Sequence, residues 1–143
     1  MKKYVDKYAV FTNENGEVRI EFPNDGVFID EFGKIIGVDT RYISRYFKRQ
    51  HKYVLRDIAK IINHKSGVSE DFCRIHFIPF SYMDGRGKRD NCYFLTRDGC
   101  ALLVMNYTGT KAMHFKERYI QLLIRLEKGR YGWHSPCNIL ELF

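Results

Sequence analysis

A chain of 143 residues, 45% hydrophobic and 15% aromatic, is long enough for one domain with a real core and too apolar for a disordered segment. Its net charge of +7 is localised: residues 33–65 hold 9 basic and 2 acidic residues, whereas residues 1–32 hold 4 and 7. That placement is the electrostatic footprint expected of a nucleic-acid binder, or else the solvated face of a helix in a basic protein. The longest apolar run, Cys100–Met105, is far too short for a bilayer, and "MKKYVDKY" has no apolar stretch behind it to make a secretory signal.

In chain order, "YAVFTNENGEVRIEF" (8–22) alternates around Asn15-Gly16 and predicts a β-hairpin. "IDEFGKIIGVDTRYISRYF" (29–47) reads as helix, turn, helix. Phe32, Ile35 and Ile36 recur at helical spacing, with Gly37 just past the first helix and Asp39 or Thr40 capping the second. Gly33, Gly37 and Ile43 stand at the spacing of a DNA-binding helix-turn-helix. Ordinary helical hairpins share that spacing. Thr40, Arg41, Ser44, Arg45 and Lys48 would then face outward toward DNA.

"HKYVLRDIAKIINH" (51–64) predicts a third helix with Val54, Leu55, Ile58, Ile61 and Ile62 as its buried stripe. Lys52, Arg56 and Lys60 lie mostly off it. Asp57 can pair with Lys60, which leaves Lys52 and Arg56 unmatched within the helix. "FCRIHFIPFSYM" and "NCYFLT" (72–83, 91–96) read as two strands joined by "DGRGKRD". Arg86, Lys88 and Arg89 at that tip make it a candidate wing for phosphates or a minor groove, or an ordinary polar turn.

Two helices close the pattern, with Thr96 capping the first and Thr110 the second. The second carries Phe115, Tyr119, Leu122, Leu123 and Leu126 on one stripe. In the tail, Trp133, Ile139, Leu140, Leu142 and Phe143 either dock on the domain or serve a dimer.

The cysteines (73, 92, 100, 137) form no C-x-x-C pair. Cys73 and His76 have ligand spacing without a second pair, so buried reduced thiols are expected and no metal or cofactor. The five histidines are scattered and no carboxylates cluster, which argues against an enzyme such as a nuclease.

"KRQHKYVLRDI" (48–58) and "YFLTRDGCALLVMNYTGTKAMHFKERYI" (93–120) together resemble the Rha family of phage regulatory proteins. Gln50 stands where the family pattern has Arg, and Cys100 and Asn106 replace a common aromatic and Gly. The resemblance implies a phage or prophage regulator acting in the cytoplasm of a bacterial host. It also makes 51–63 the second helix of its own pair; of the two, 40–48 is favoured as the DNA reader, with Lys52 and Arg56 as phosphate anchors.

The expectation is therefore one α+β domain with a helix-turn-helix, winged-helix-like core. Residues 1–28 form an N-terminal hairpin, 29–63 the helix-turn-helix region, 72–96 a basic β-hairpin wing and 97–128 two C-terminal helices, followed by the tail 129–143. Its expected role is to bind double-stranded DNA as a homodimer through Thr40, Arg41, Ser44, Arg45, Lys48, Arg49, His51, Lys52, Arg56, Lys60, Arg86, Lys88 and Arg89. The alternative is an antirepressor that binds a repressor or other regulatory protein.

Overall fold

The computed structural model describes residues 8–13, 16–21, 26–29, 35–83, 86–128 and 139–143. They form a mixed α+β domain around one antiparallel sheet of six strands. The strands are β1 (Tyr8–Asn13), β2 (Gly16–Glu21), β3 (Val27–Ile29), β4 (Ile35–Asp39), β5 (Phe77–Met83) and β6 (Arg89–Leu95), in the order β2-β1-β5-β6-β4-β3. The helices are α1 (Thr40–Phe47), α2 (His51–Ile62), α3 (Glu70–His76), α4 (Arg97–Val104) and α5 (Thr110–Glu127). Single 3-10 turns lie at His64–Ser66 and Ile139–Leu142.

The alternation of β5 and β6 divides two cores, because successive side chains point to opposite faces. Phe77 and Leu95, paired across the hairpin, join Val38 and the helices in the main core. Ile43, Val54, Ile58, Leu103, Phe115 and Leu122 fill it. On the other face Phe80 pairs with Cys92, and Phe28 meets the Phe80 and Phe94 rings edge-on.

Several expectations are corrected here. Residues 35–39 are a strand, not the end of a helix, while 30–34 lie outside the described residues. Val38 pairs with both Val27 and Leu95, so its β-branched neighbourhood gains two ladders that a helix would forfeit. Gly37 does not end a helix. Its Cα lies so close to the Phe94 ring and the Leu95 carbonyl that a Cβ would collide with both. The strand expected from residue 72 starts at Phe77, and the preceding residues form α3. Ser69 caps α3 by accepting from Phe72 N–H, and Glu70 and Asp71 sit in the first turn, where the helix dipole favours acids.

The N-terminal hairpin pairs Asn13 with Gly16, so Gly16 starts β2, and residues 14–15 lie outside the described residues. Asp39 caps α1 and Thr96 caps α4, as the side-chain pattern suggested. Gly109, not Thr110, is the N-cap of α5, without a side-chain bond. Leu123 leaves the buried stripe of α5 and is exposed, as is Ile62 of α2. Residues 139–143 dock: Ile139 and Leu142 are buried, and Phe143 packs edge-on against Tyr42, Tyr46 and Phe115. Trp133 lies outside the described residues. Cys73, Cys92 and Cys100 are buried free thiols.

Candidate nucleic-acid interface

Helices α1 and α2 pack against each other across Lys48, Arg49 and Gln50. Lys48 takes a left-handed conformation (φ 52°) that ends α1. Ser44 stitches the turn, its hydroxyl donating to the Arg49 carbonyl at 2.5 Å while Arg49 N–H donates to the Ser44 carbonyl at 3.0 Å. That side chain has a structural task, although it is the kind of residue expected to face DNA.

The start of α1 is also committed inward. Asp39 is fully buried and accepts from the backbone of Arg41 (2.8 Å) and Tyr42 (3.1 Å). The Arg41 guanidinium closes on the same carboxylate at 2.7 and 3.2 Å and lies over the Tyr82 ring. Thr40, expected to face outward, is completely buried. Its hydroxyl accepts from Tyr93 N–H (3.3 Å) and shares hydrogen bonds with His51 Nε2 (2.7 Å) and Cys92 Sγ (3.0 Å). A polar residue expected on the surface therefore ties the first turns of both helices to β6. Burial pushes the His51 imidazole below its ordinary value, with Arg41 acting the same way and Asp39 and Asp90 opposing. Burial also pushes the Cys92 thiol up to about 11, so it stays protonated and inert.

The outward face of α2 contrasts with this. Lys52, Arg56 and Lys60 are exposed, and among the described residues no carboxylate pairs with them or with Lys48. Arg49, Lys52 and Arg56 all lie 5.0–5.6 Å from the centre of the Tyr53 ring, so three cations crowd one aromatic side chain. Such crowding is tolerable on a surface where water, or a polyanion, screens it.

Asp57, the one acid of α2, does not pair with Lys60. It grips Arg49 through two bonds (2.8 and 3.1 Å) and accepts from the Tyr107 hydroxyl at 2.9 Å. Burial, and then the hydrogen bond to Asp57, raise the Tyr107 phenol well above its ordinary value, so it remains a donor. Arg49 in turn lies near the faces of both Tyr53 and Tyr107. This junction joins the two segments that carry the resemblance. Nothing local in either segment signals that they meet. Beside it opens a cleft of about 1130 Å³ whose lining includes Lys48, Lys60, Asn106, Thr108 and Lys111.

Arg45 is exposed on α1. At the hairpin, residues 84–85 lie outside the described residues, and Arg86, Lys88 and Arg89 are exposed, with Arg89 donating to Ser81 Oγ at 2.7 Å. The Arg41–Tyr82 contact places this hairpin beside the start of α1. Among the described residues there is no group of three or more His, Cys, Asp or Glu placed to hold a metal, and no helix is long and apolar enough to cross a membrane.

The fold and this surface define a mixed α+β domain that presents a cation-rich helical face beside its core. The chain belongs to the family of the phage regulatory protein Rha, whose model matches residues 38–128. It is similar to an uncharacterised protein of Haemophilus influenzae, 36% identical over 87 residues, which cover 60% of this chain and 49% of that protein. It is also similar to Protein 2b of tobacco rattle virus (strain TCM), 36% identical over 72 residues, which cover 50% of this chain and 23% of that protein. The chain thus spans about half or less of the relatives it matches. No solved structure matches.

Proposed function

We propose that this chain is a phage-encoded regulator that binds double-stranded DNA in the host cytoplasm, with α1 and α2 as a helix-turn-helix and the β5–β6 hairpin as its wing. The carrying observation is that Lys52, Arg56 and Lys60 line the outward face of α2 without carboxylate partners among the described residues. In the same region Arg41, Ser44 and Thr40 of α1 are engaged by Asp39, Arg49 and β6. On this reading α2 approaches the duplex, in place of the 40–48 helix that the sequence favoured as the reader. Lys48, Lys52, Arg56 and Lys60 supply phosphate contacts, and the exposed wing cations extend the footprint.

The test is a set of binding isotherms at several salt concentrations. Each lost phosphate contact flattens the log–log salt slope by roughly 0.9 units. Lys52→Ala and Arg56→Ala should each do so for cognate and random DNA alike. If neither variant changes the slope, this face is only solvated. The antirepressor reading, in which the protein engages a repressor, then takes its place.

A further inference from the structure

We infer that the cleft between α2 and the α4–α5 connection takes the phosphate backbone of one strand of a bound duplex, with Lys111 as a contact from its far wall. The inference rests on the DNA reading above and adds a second wall to it. The near wall carries Lys48 and Lys60, both exposed and without a carboxylate partner among the described residues. The far wall is the connection of residues 105–109 with the first turn of α5, and it brings Lys111. Lys111 is held in place: its ammonium donates to the Tyr46 carbonyl at 3.0 Å and lies 4.8 Å from the centre of the Tyr46 ring. That carbonyl belongs to the last turn of α1, where the helix dipole favours a cation. An ammonium has three donors, so two remain for a ligand. A side chain ordered beforehand loses less entropy on binding.

The charge of the cleft is one-sided. Lys48, Arg49, Lys60 and Lys111 line it against a single carboxylate, Asp57. Arg49 engages both oxygens of that carboxylate and the Tyr107 hydroxyl donates to one of them. Three lysines then line one space without a counter-charge. Gln50, Asn106, Thr108 and Thr110 add amides and hydroxyls that make no side-chain hydrogen bond among the described residues. Such groups contact phosphate and sugar in nucleic-acid complexes.

Two features favour a nucleic-acid strand over an acidic peptide. None of the large hydrophobic residues exposed among the described residues lines the cleft, whereas peptide grooves depend on apolar anchors. Lys60 also belongs both to the cleft and to the outward face of α2, so the cationic surface is continuous from one to the other. A helix in a major groove lies between two phosphate backbones. A concave cationic wall along its side is where one of them passes.

Lysine acetylation read by mass spectrometry locates the ligand on the full chain. A random-sequence duplex at low salt should protect Lys111 and leave Lys128, at the other end of α5, reactive, because phosphate contacts are independent of sequence. A nucleoside triphosphate and poly-glutamate, each at equal anionic charge, should protect Lys111 far less. In binding isotherms Lys111→Ala should flatten the log–log salt slope by roughly 0.9 units, and Lys111→Arg should keep it. Asn106→Asp, at an exposed position, should weaken binding about threefold to tenfold by setting a negative charge beside the phosphates. Circular dichroism checks folding; should Lys111→Ala unfold, the protection pattern and Asn106→Asp still decide. If Lys52→Ala flattens the slope while Lys111→Ala and Asn106→Asp bind like the parent, the cleft inference alone falls. A parent that binds no duplex overturns the DNA reading with it. Equal protection by poly-glutamate or by the triphosphate gives the cleft another occupant and overturns the inference too.

Discussion

Replacing Thr40 by Val separates a residue that holds the fold from one that reads DNA. The two side chains have nearly the same shape, so packing is kept and only the hydroxyl is lost. Three groups lose a partner: Tyr93 N–H, His51 Nε2 and Cys92 Sγ. A buried donor or acceptor left unsatisfied costs about 1–3 kcal/mol. Tyr93 N–H bears most of that, while half-buried His51 recovers part of its loss from water. The thiol is a weak hydrogen-bonding group and adds little. The expected cost is therefore about 2–4 kcal/mol, a large share of the roughly 5–15 kcal/mol that holds a typical domain. Urea denaturation followed by far-ultraviolet circular dichroism measures it. Thr40→Ser, which keeps the hydroxyl, should lose markedly less. The reasoning is refuted if Thr40→Val unfolds at the parent midpoint, and refuted most clearly if that stable variant also loses discrimination between cognate and random DNA.

The pH dependence follows from the same cluster. Because His51 lies below the ordinary imidazole value of 6.5, the unfolded chain takes up its proton first. The stability it contributes is present above about pH 6.5 and is lost as pH falls through the lower folded value. Urea midpoints between pH 5 and 8, compared with those of His51→Gln, should show a steeper acid-side decline in the parent, and parallel profiles would refute the assignment. Gly37→Ala should destabilise by about 1–3 kcal/mol or more, because its Cβ would collide with the Phe94 ring and a Leu95 carbonyl that belongs to the sheet backbone. An unchanged melting temperature would show that β4 does not lie this close to β6.

What could be read ahead of the structure followed periodicity. Helix α2 announced itself through Val54, Ile58 and Ile61, and α4 through Thr96, its cap. β4 does not show in the sequence because Ile35 and Ile36 suit a helical stripe as well as a strand, and the deciding pairing, Val38 with Leu95, comes from far along the chain. α3 was hidden among apolar residues that also suit a strand, although Ser69 followed by Glu70 and Asp71 carried a start signal. Site residues were legible as charge but not as commitment. Lys52 and Arg56 emerge on the surface, whereas Arg41 and Thr40 are recruited by Asp39 and β6. The Arg49–Asp57–Tyr107 junction spans the α2-to-α5 connections, and no local pattern reports such a contact.

The position of the N-terminal hairpin in the sheet has a consequence for the chain during synthesis. β1 pairs on one side with β2, its neighbour in sequence, but on the other side with β5, where Val10 meets Ser81 and Phe11 meets Phe80. Ribosomes add about 5–20 residues per second, so roughly seventy intervening residues delay that second pairing by several seconds. Throughout the interval the inner edge of β1 presents unfilled backbone donors and acceptors. Neighbouring ribosomes on one message expose the same edge and, a little later, the same β5. The hairpin can then be seated on the wrong nascent chain, and the timing of translation decides how often it finds its own.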